Sequence, residues 1–432
     1  MAGGAPGHPL LKSTAFGRRS SQVAAVMAVL CLGLGACERP TAPALLVYAD
    51  RAIEPSVASR GWSAVSVGSA HTCGIRTDGT LDCWGAAASG QLGVGAVTGK
   101  CGRLRTACEG SPRAVSTDQR FAAVSAGSRH TCAISTSRAL YCWGENLRFQ
   151  AGIQALPFVS TPMAVAPDVQ FMDVGAGASH TCAVRTNGVV YCWGDGTLGA
   201  LGRGDTVTSV IPAPIKTSER FSLVRSGQLR SCAIALDGAA WCWGAEWESA
   251  DGNIDYYHSR VTPHRIEGLP LLRDISVGVT SICAISAAGE PFCWEANGFA
   301  QLGTGTLTPT AIPLPVATPD VFTNVSVGII QACGTTADGR AMCWGNNSFG
   351  QLGVPRPGQH CGDAALECSR QPIRVFGMLH FSTVATGIGN HTCGITLSTS
   401  MVCWGLGSDG QLGDGYTRDR QSLPVGVLAP GP

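Results

Sequence analysis

Fourteen of the 20 cysteines in this chain stand in pairs ten positions apart, and the pairs recur along its whole length. They are Cys73/Cys83, Cys132/Cys142, Cys182/Cys192, Cys232/Cys242, Cys283/Cys293, Cys333/Cys343 and Cys393/Cys403. First members follow one another at intervals of 59, 50, 50, 51, 50 and 60 residues, and a period near 50 marks a repeat architecture. Any fold of this chain must accommodate seven such units. Composition favours short strands over long helices, since Gly supplies 57 of 432 residues and charged residues only 14%. A formal net charge of +1 argues against a phosphate-binding surface spread over the molecule, so no nucleic acid partner is expected.

Each unit reads as four strands. Phe121-Ala122-Ala123-Val124-Ser125-Ala126-Gly127 leads into His130-Thr131-Cys132-Ala133-Ile134, and a turn then leads to Leu140-Tyr141-Cys142-Trp143-Gly144. A Gly-rich loop and a Pro-Val segment, such as Pro112-Arg113-Ala114-Val115, follow. Four short strands per repeat match one propeller blade.

The spacing of ten fits a hairpin with a three-residue loop, Thr77-Asp78-Gly79, which sets Cys73 opposite Cys83. Such loops want a left-handed residue at the third place. Gly79, Gly188, Gly238, Gly289 and Gly339 supply it, whereas Arg138 and Thr399 do not and imply a different turn. The same register sets Ile75 opposite Leu81, Ile134 opposite Leu140, Val184 opposite Val190 and Ile395 opposite Met401. Directly opposed cysteines have Cα atoms roughly 4.5 Å apart, which permits cross-strand disulfides. A zinc site would need closer spacing and a tetrahedron, so neither a metal nor another cofactor is expected.

The first unit begins at Gly61-Trp62 with no Pro-Val strand before it, and the last ends in Leu423-Pro424-Val425-Gly426-Val427. The expectation is an all-β, seven-bladed β-propeller of four-stranded antiparallel blades over 61–427, closed by the C-terminal strand joining the first blade. Residues 428–432 remain as a tail.

Three motifs carry a family resemblance. They are Gly127-Ser128-Arg129-His130-Thr131-Cys132-Ala133, then Tyr141-Cys142-Trp143-Gly144, then Gly90-Gln91-Leu92-Gly93 with its counterparts Gly350-Gln351-Leu352-Gly353 and Gly410-Gln411-Leu412-Gly413. Together they resemble the regulator of chromosome condensation repeat. That resemblance implies a seven-bladed ring. Its founding nuclear member is an exchange factor for a small GTPase and binds chromatin; another member is a secreted bacterial inhibitor of β-lactamases. Fold alone does not choose among such roles.

The N-terminus reads as an address. Arg18 and Arg19 precede an apolar stretch, Val23 to Leu34, that is too short to span a bilayer and contains Cys31. It ends in Leu34-Gly35-Ala36-Cys37, which resembles the lipobox of bacterial lipoproteins. The expectation is a signal peptide over 1–36, a diacylglycerol on Cys37 and a flexible tether over 37–60, leaving the protein lipid-anchored to a bacterial envelope.

Several residues are candidates for function. The Trp after each second cysteine, from Trp84 to Trp404, lies opposite the disulfide face and is expected to pack towards the next blade. His71, His130, His180 and His391 share one place that Arg230, Ser281 and Gln331 fill elsewhere; spread around a ring, they suit structural hydrogen bonding. The two long intervals hold extra pairs, Cys101/Cys108 and Cys361/Cys368, stapling loops on one rim. The first loop carries Lys100, Arg103 and Arg105 and suits an acidic partner. Blade four replaces Gly-Gln-Leu-Gly with a loop bearing Trp247, Tyr256 and Tyr257, which either pack back onto the rim or stand exposed as residues typical of binding hot spots. Asp251, Asn253 and Asp255 faintly resemble a calcium loop that lacks its closing Glu.

These features point to a monomeric, non-enzymatic binding module for a protein or polysaccharide, held to a membrane by its lipid. The alternative is a propeller hydrolase or lyase acting on extracellular glycans, which needs acids converging at one mouth of the channel.

Overall fold

The ten-residue cysteine spacing governs the local structure. A computed structural model describes residues 61–429 apart from 155, 249–255 and 363–365. Each spaced pair faces across its own hairpin: Cys73 meets Cys83, Cys132 meets Cys142, Cys182 meets Cys192 and Cys232 meets Cys242. In the last three blades Cys283 meets Cys293, Cys333 meets Cys343 and Cys393 meets Cys403. Their Cα atoms lie 4.0–4.1 Å apart and their sulfurs are bonded. Cys192, Cys293 and Cys343 have no exposed surface, nor do their partners Cys182, Cys283 and Cys333. These bonds are staples inside the blades and form no part of a surface that a partner could touch. The register also pairs Ile75 with Leu81, Ile134 with Leu140, Val184 with Val190 and Ile395 with Met401.

The turns are more uniform than the sequence suggests. Gly79 and Gly339 sit at φ 81° and 83°, and Arg138 and Thr399 take the same left-handed conformation at φ 69° and 62°. Turn closure demands it. Arg138 N donates to Ser135 O and Thr399 N to Thr396 O, as Gly79 N does to Arg76 O.

Seven antiparallel sheets follow in chain order. Blade one contains Trp62–Val67, His71–Arg76, Leu81–Ala86 and Thr106–Ala114. Blade four contains Phe221–Ser226, Arg230–Ala235, Ala240–Glu248 and Tyr256–Arg265. Blade seven contains Phe381–Thr386, His391–Thr396, Met401–Gly407 and Arg418–Gly426. First strands of successive blades touch around the whole circuit, with that of blade seven against that of blade one. Among the described residues no helix is long and apolar enough to cross a membrane.

Closure differs from expectation. The C-terminal strand Arg418–Gly426 pairs with Met401–Gly407 inside blade seven and does not join blade one. Blade one already has a fourth strand, because Thr106–Ala114 pairs with Leu81–Ala86. The Pro-Val segment therefore ends each blade, and among the described residues no strand is shared. The ring closes by side-to-side packing, with Trp62 N bonded to Thr399 O at 2.8 Å.

The core lies between blades. Trp84, Trp143, Trp193, Trp344 and Trp404 are fully buried. They face the preceding blade, not the next as the alternation of faces suggested. A Cβ on Gly93 of blade one would lie 2.7 Å from Trp143 of blade two, so only glycine admits the indole there.

Candidate binding surfaces and the junction between blades four and five

A regular junction is built from two contacts. The carbonyl of Gln91 in blade one accepts from both Thr131 Oγ1 and Trp143 Nε1 of blade two, at 2.9 Å each. Gln150, Gln351 and Gln411 receive the equivalent two donors from blades three, seven and one. The Gln-Leu-Gly loop is thus a latch, and its Gln Oε1 folds back onto the main chain two residues earlier, as Gln91 does on Ser89 N.

The second contact uses the repeated histidine. His71, His130, His180 and His391 are buried and meet Thr131, Thr181, Ser231 and Thr72 of the following blades, each at 2.9 Å. Burial pushes His71 and His180 down to about 4, and His130 and His391 down to about 3, so the rings are neutral. They are fasteners between blades.

Blade four breaks both rules. Arg230 takes the histidine place, and Glu295 of blade five stands where the other six blades have the Gly of Cys-Trp-Gly. The two form an ion pair with side chains 3% and 4% exposed. Glu295 keeps the left-handed backbone of the glycines it replaces, at φ 84°. Burial lifts its carboxyl to about 7 against the pull of Arg230. Beside the pair opens a cleft lined by Glu246, Arg260, His264 and Trp294. A hydrogen bond from His264, aided by Arg260, holds Glu246 down at about 2 despite partial burial.

The aromatic segment of blade four is a hairpin arm and not the loop its sequence suggests. Trp247 pairs with Tyr257 and Glu248 with Tyr256, extending the sheet beyond Gly244 and Arg260. Aromatic residues favour strands, which accounts for the difference. Asp251, Asn253 and Asp255 lie outside the described residues, as do Cys37, the signal segment and the tether. Among the described residues no three His, Cys, Asp or Glu side chains gather as a metal site would require.

The stapled insertions occupy equivalent places, after the third strand of blades one and six. In the first, Lys100–Cys101 pairs with Thr106 and Ala107, and the Cys101–Cys108 disulfide closes the hairpin. Lys100, Arg103 and Arg105 are exposed, and Leu104 at the apex is 88% exposed. Arg103 reaches Asp419 of blade seven at 3.1 Å. In the second, Gln359–Cys361 pairs with Leu366–Cys368, and the buried Cys361–Cys368 bond packs on Ala300 and Leu307 of blade five.

Two acids sit on the innermost strands, where the glycan-cleaving alternative needs them. Asp173 accepts from Val224 N at 2.8 Å and Arg225 at 2.9 Å, and Asp274 accepts from Val325 N at 3.0 Å. Burial raises both carboxyls. Each serves to tie its strand to the next blade.

Sequence reading missed Leu104, Asp419 and Glu295. Glu295 had a visible signal, the single Cys-Trp-Glu among six Cys-Trp-Gly.

Two family models described as Regulator of chromosome condensation (RCC1) repeat match this chain. One covers residues 62–91, 121–150, 173–200 and 332–351. The other covers 78–134 and 187–234. The Ultraviolet-B receptor UVR8 of Arabidopsis thaliana is 33% identical over 91 residues, 21% of this chain and 19% of that protein. Human WBSCR16 superposes with a TM-score of 0.65 at 21% identity, covering 76% of this chain and 86% of that one. Prp20p of Saccharomyces cerevisiae, studied for binding to Gsp1p and histones, gives 0.70 at 18% identity over 82% and 87%. At these identities the solved structures show the fold alone.

Proposed function

The chain belongs to the family of propellers built from regulator of chromosome condensation repeats, and from that premise we propose that it is an exported binding module. A lipid on Cys37 holds it to a bacterial envelope, and its partner is a protein or a surface polysaccharide. The observation that carries this reading is the division of labour among its polar groups. Buried histidines and channel aspartates are engaged in joining blades, while the stapled hairpin of blade one presents Lys100, Leu104 and Arg105 to solvent on a constrained turn. A disulfide-closed turn loses little freedom when a partner seats on it, and Arg beside an exposed aliphatic apex suits a protein hot spot. The nine disulfides among the described residues fit an oxidising compartment.

Two measurements test the reading. Intact mass of the membrane-extracted protein is expected to show a diacylated Cys37 and nine disulfides; free thiols on an unmodified chain would overturn export. Partner capture by cross-linking on the envelope is expected to fall at least tenfold in a Lys100→Glu, Leu104→Ser, Arg105→Glu variant, since truncating a hot spot costs about 2 kcal/mol or more. Capture at wild-type level would remove the hairpin from the binding surface.

A further inference from the structure

We propose that the stapled hairpin of blade one is the clasp of the ring, doing the work of a shared strand, of which there is none among the described residues. The inference is independent of any partner. Blade one and blade seven are whole sheets, so the seam between them carries no exchanged backbone. The hairpin reaches back across that seam. Gly102 lies against blade seven so closely that an added Cβ would be 3.1 Å from Ser408 O. Arg103 meets Asp419 on the last strand. The bond from Gly415 N to Gly110 O at the base of the insertion is the ordinary junction contact, repeated by Gly95 N to Ser160 O and Gly305 N to Arg370 O, so the clasp is what the hairpin adds beyond it. Two contacts beyond the ordinary junction therefore run from the hairpin to the Ser408–Asp419 stretch of the closing blade.

The second insertion shows the same device at work elsewhere. It too reaches back over the preceding blade, setting Gly362 against Phe299 and burying its disulfide beside Ala300. Its Glu367 also pairs with Arg420 of blade seven. The outer strand of the closing blade is thus gripped on one side by Arg103 at Asp419 and on the other by Glu367 at Arg420.

Hydrogen exchange on the full chain tests this. In a Cys101→Ser, Cys108→Ser variant, exchange in Trp62–Val67 and Arg418–Gly426 is expected to rise on the order of tenfold, while the first strands of blades three and five stay unchanged. Arg103→Asp alone is expected to raise exchange in Arg418–Gly426 about two- to fivefold, and adding Asp419→Arg to restore it. This charge exchange keeps the test open if the cysteine variant misfolds. Faster exchange confined to 100–108, or spread equally over all blades, would overturn the clasp, as would a reversed pair that fails to restore protection.

Discussion

The junction between blades one and two and the junction between blades four and five solve the same problem with opposite chemistry. At the first, a neutral His71 shares one hydrogen bond with Thr131, and the facing Gly85 of its own hairpin leaves room for it. At the second, a guanidinium and a carboxylate are buried together, and Glu295 holds a glycine's backbone to reach its partner. The histidine solution is repeatable, since each junction buries two neutral groups that share a single hydrogen bond. The ionic solution is coupled: neither Arg230 nor Glu295 is tolerable alone, because an unpaired buried charge costs several kcal/mol. Irregularity here is a matched pair of changes.

The largest expected difference between the two junction types is in acid. The four histidines titrate near 6.5 when unfolded and at about 3 to 4 when folded. Below 6.5 the unfolded chain binds more protons, so stability falls as pH drops from 6.5 towards 4, by up to about 1.4 kcal/mol per pH unit for each ring. Glu295, raised to about 7, acts in the opposite sense as pH falls from 7 to 4.5. Protection factors, with exchange corrected for its intrinsic slowing in acid, are expected to fall from pH 7 to pH 4.5 at the four histidine junctions and to hold or rise between blades four and five. Equal loosening of all junctions would break the comparison.

Next in size is Glu295→Gly. It relieves backbone strain but strands Arg230, and denaturant unfolding is expected to show a loss of about 3–5 kcal/mol. Adding Arg230→Gln, the residue type that blade six carries at that place, is expected to recover more than half. Additive losses would mean the two residues are not coupled.

The smallest effect concerns turns. Arg138→Gly removes a side chain from a left-handed position and is expected to stabilise by about 1 kcal/mol. Gly188→Arg, the converse change, is expected to destabilise by a similar amount. Thermal midpoints that move the other way would show that the Arg138 side chain has a compensating contact.

The repeat, the register and the disulfide pairing were legible because a cysteine pair is a two-point constraint that periodicity repeats seven times. Cys182 with Cys192, Cys283 with Cys293 and Cys333 with Cys343 could each be matched without any knowledge of the ring around them. The direction in which Trp143 faces was not legible, since strand alternation gives a face but not which neighbour lies on it. Closure was misread for a related reason. Leu423-Pro424-Val425 looked like a spare strand only because the Pro-Val segment was counted as leading a blade, whereas Val115 follows Cys83 in its own sheet. The hairpin arm of blade four was hidden by its length: Trp247 and Tyr257 pair far beyond the point where other blades turn into a loop. Leu104 could not be singled out, because exposure at an apex depends on the Cys101–Cys108 geometry around it.

Because each blade is one unbroken stretch of chain, the connections between blades cross no sheet. Cutting the backbone at Ser116–Arg120 and joining the old ends would leave all seven sheets whole and move the seam from one pair of neighbours to another. Such a chain can grow or shrink by entire units, one duplication at a time, without any intermediate that leaves half a sheet unpaired.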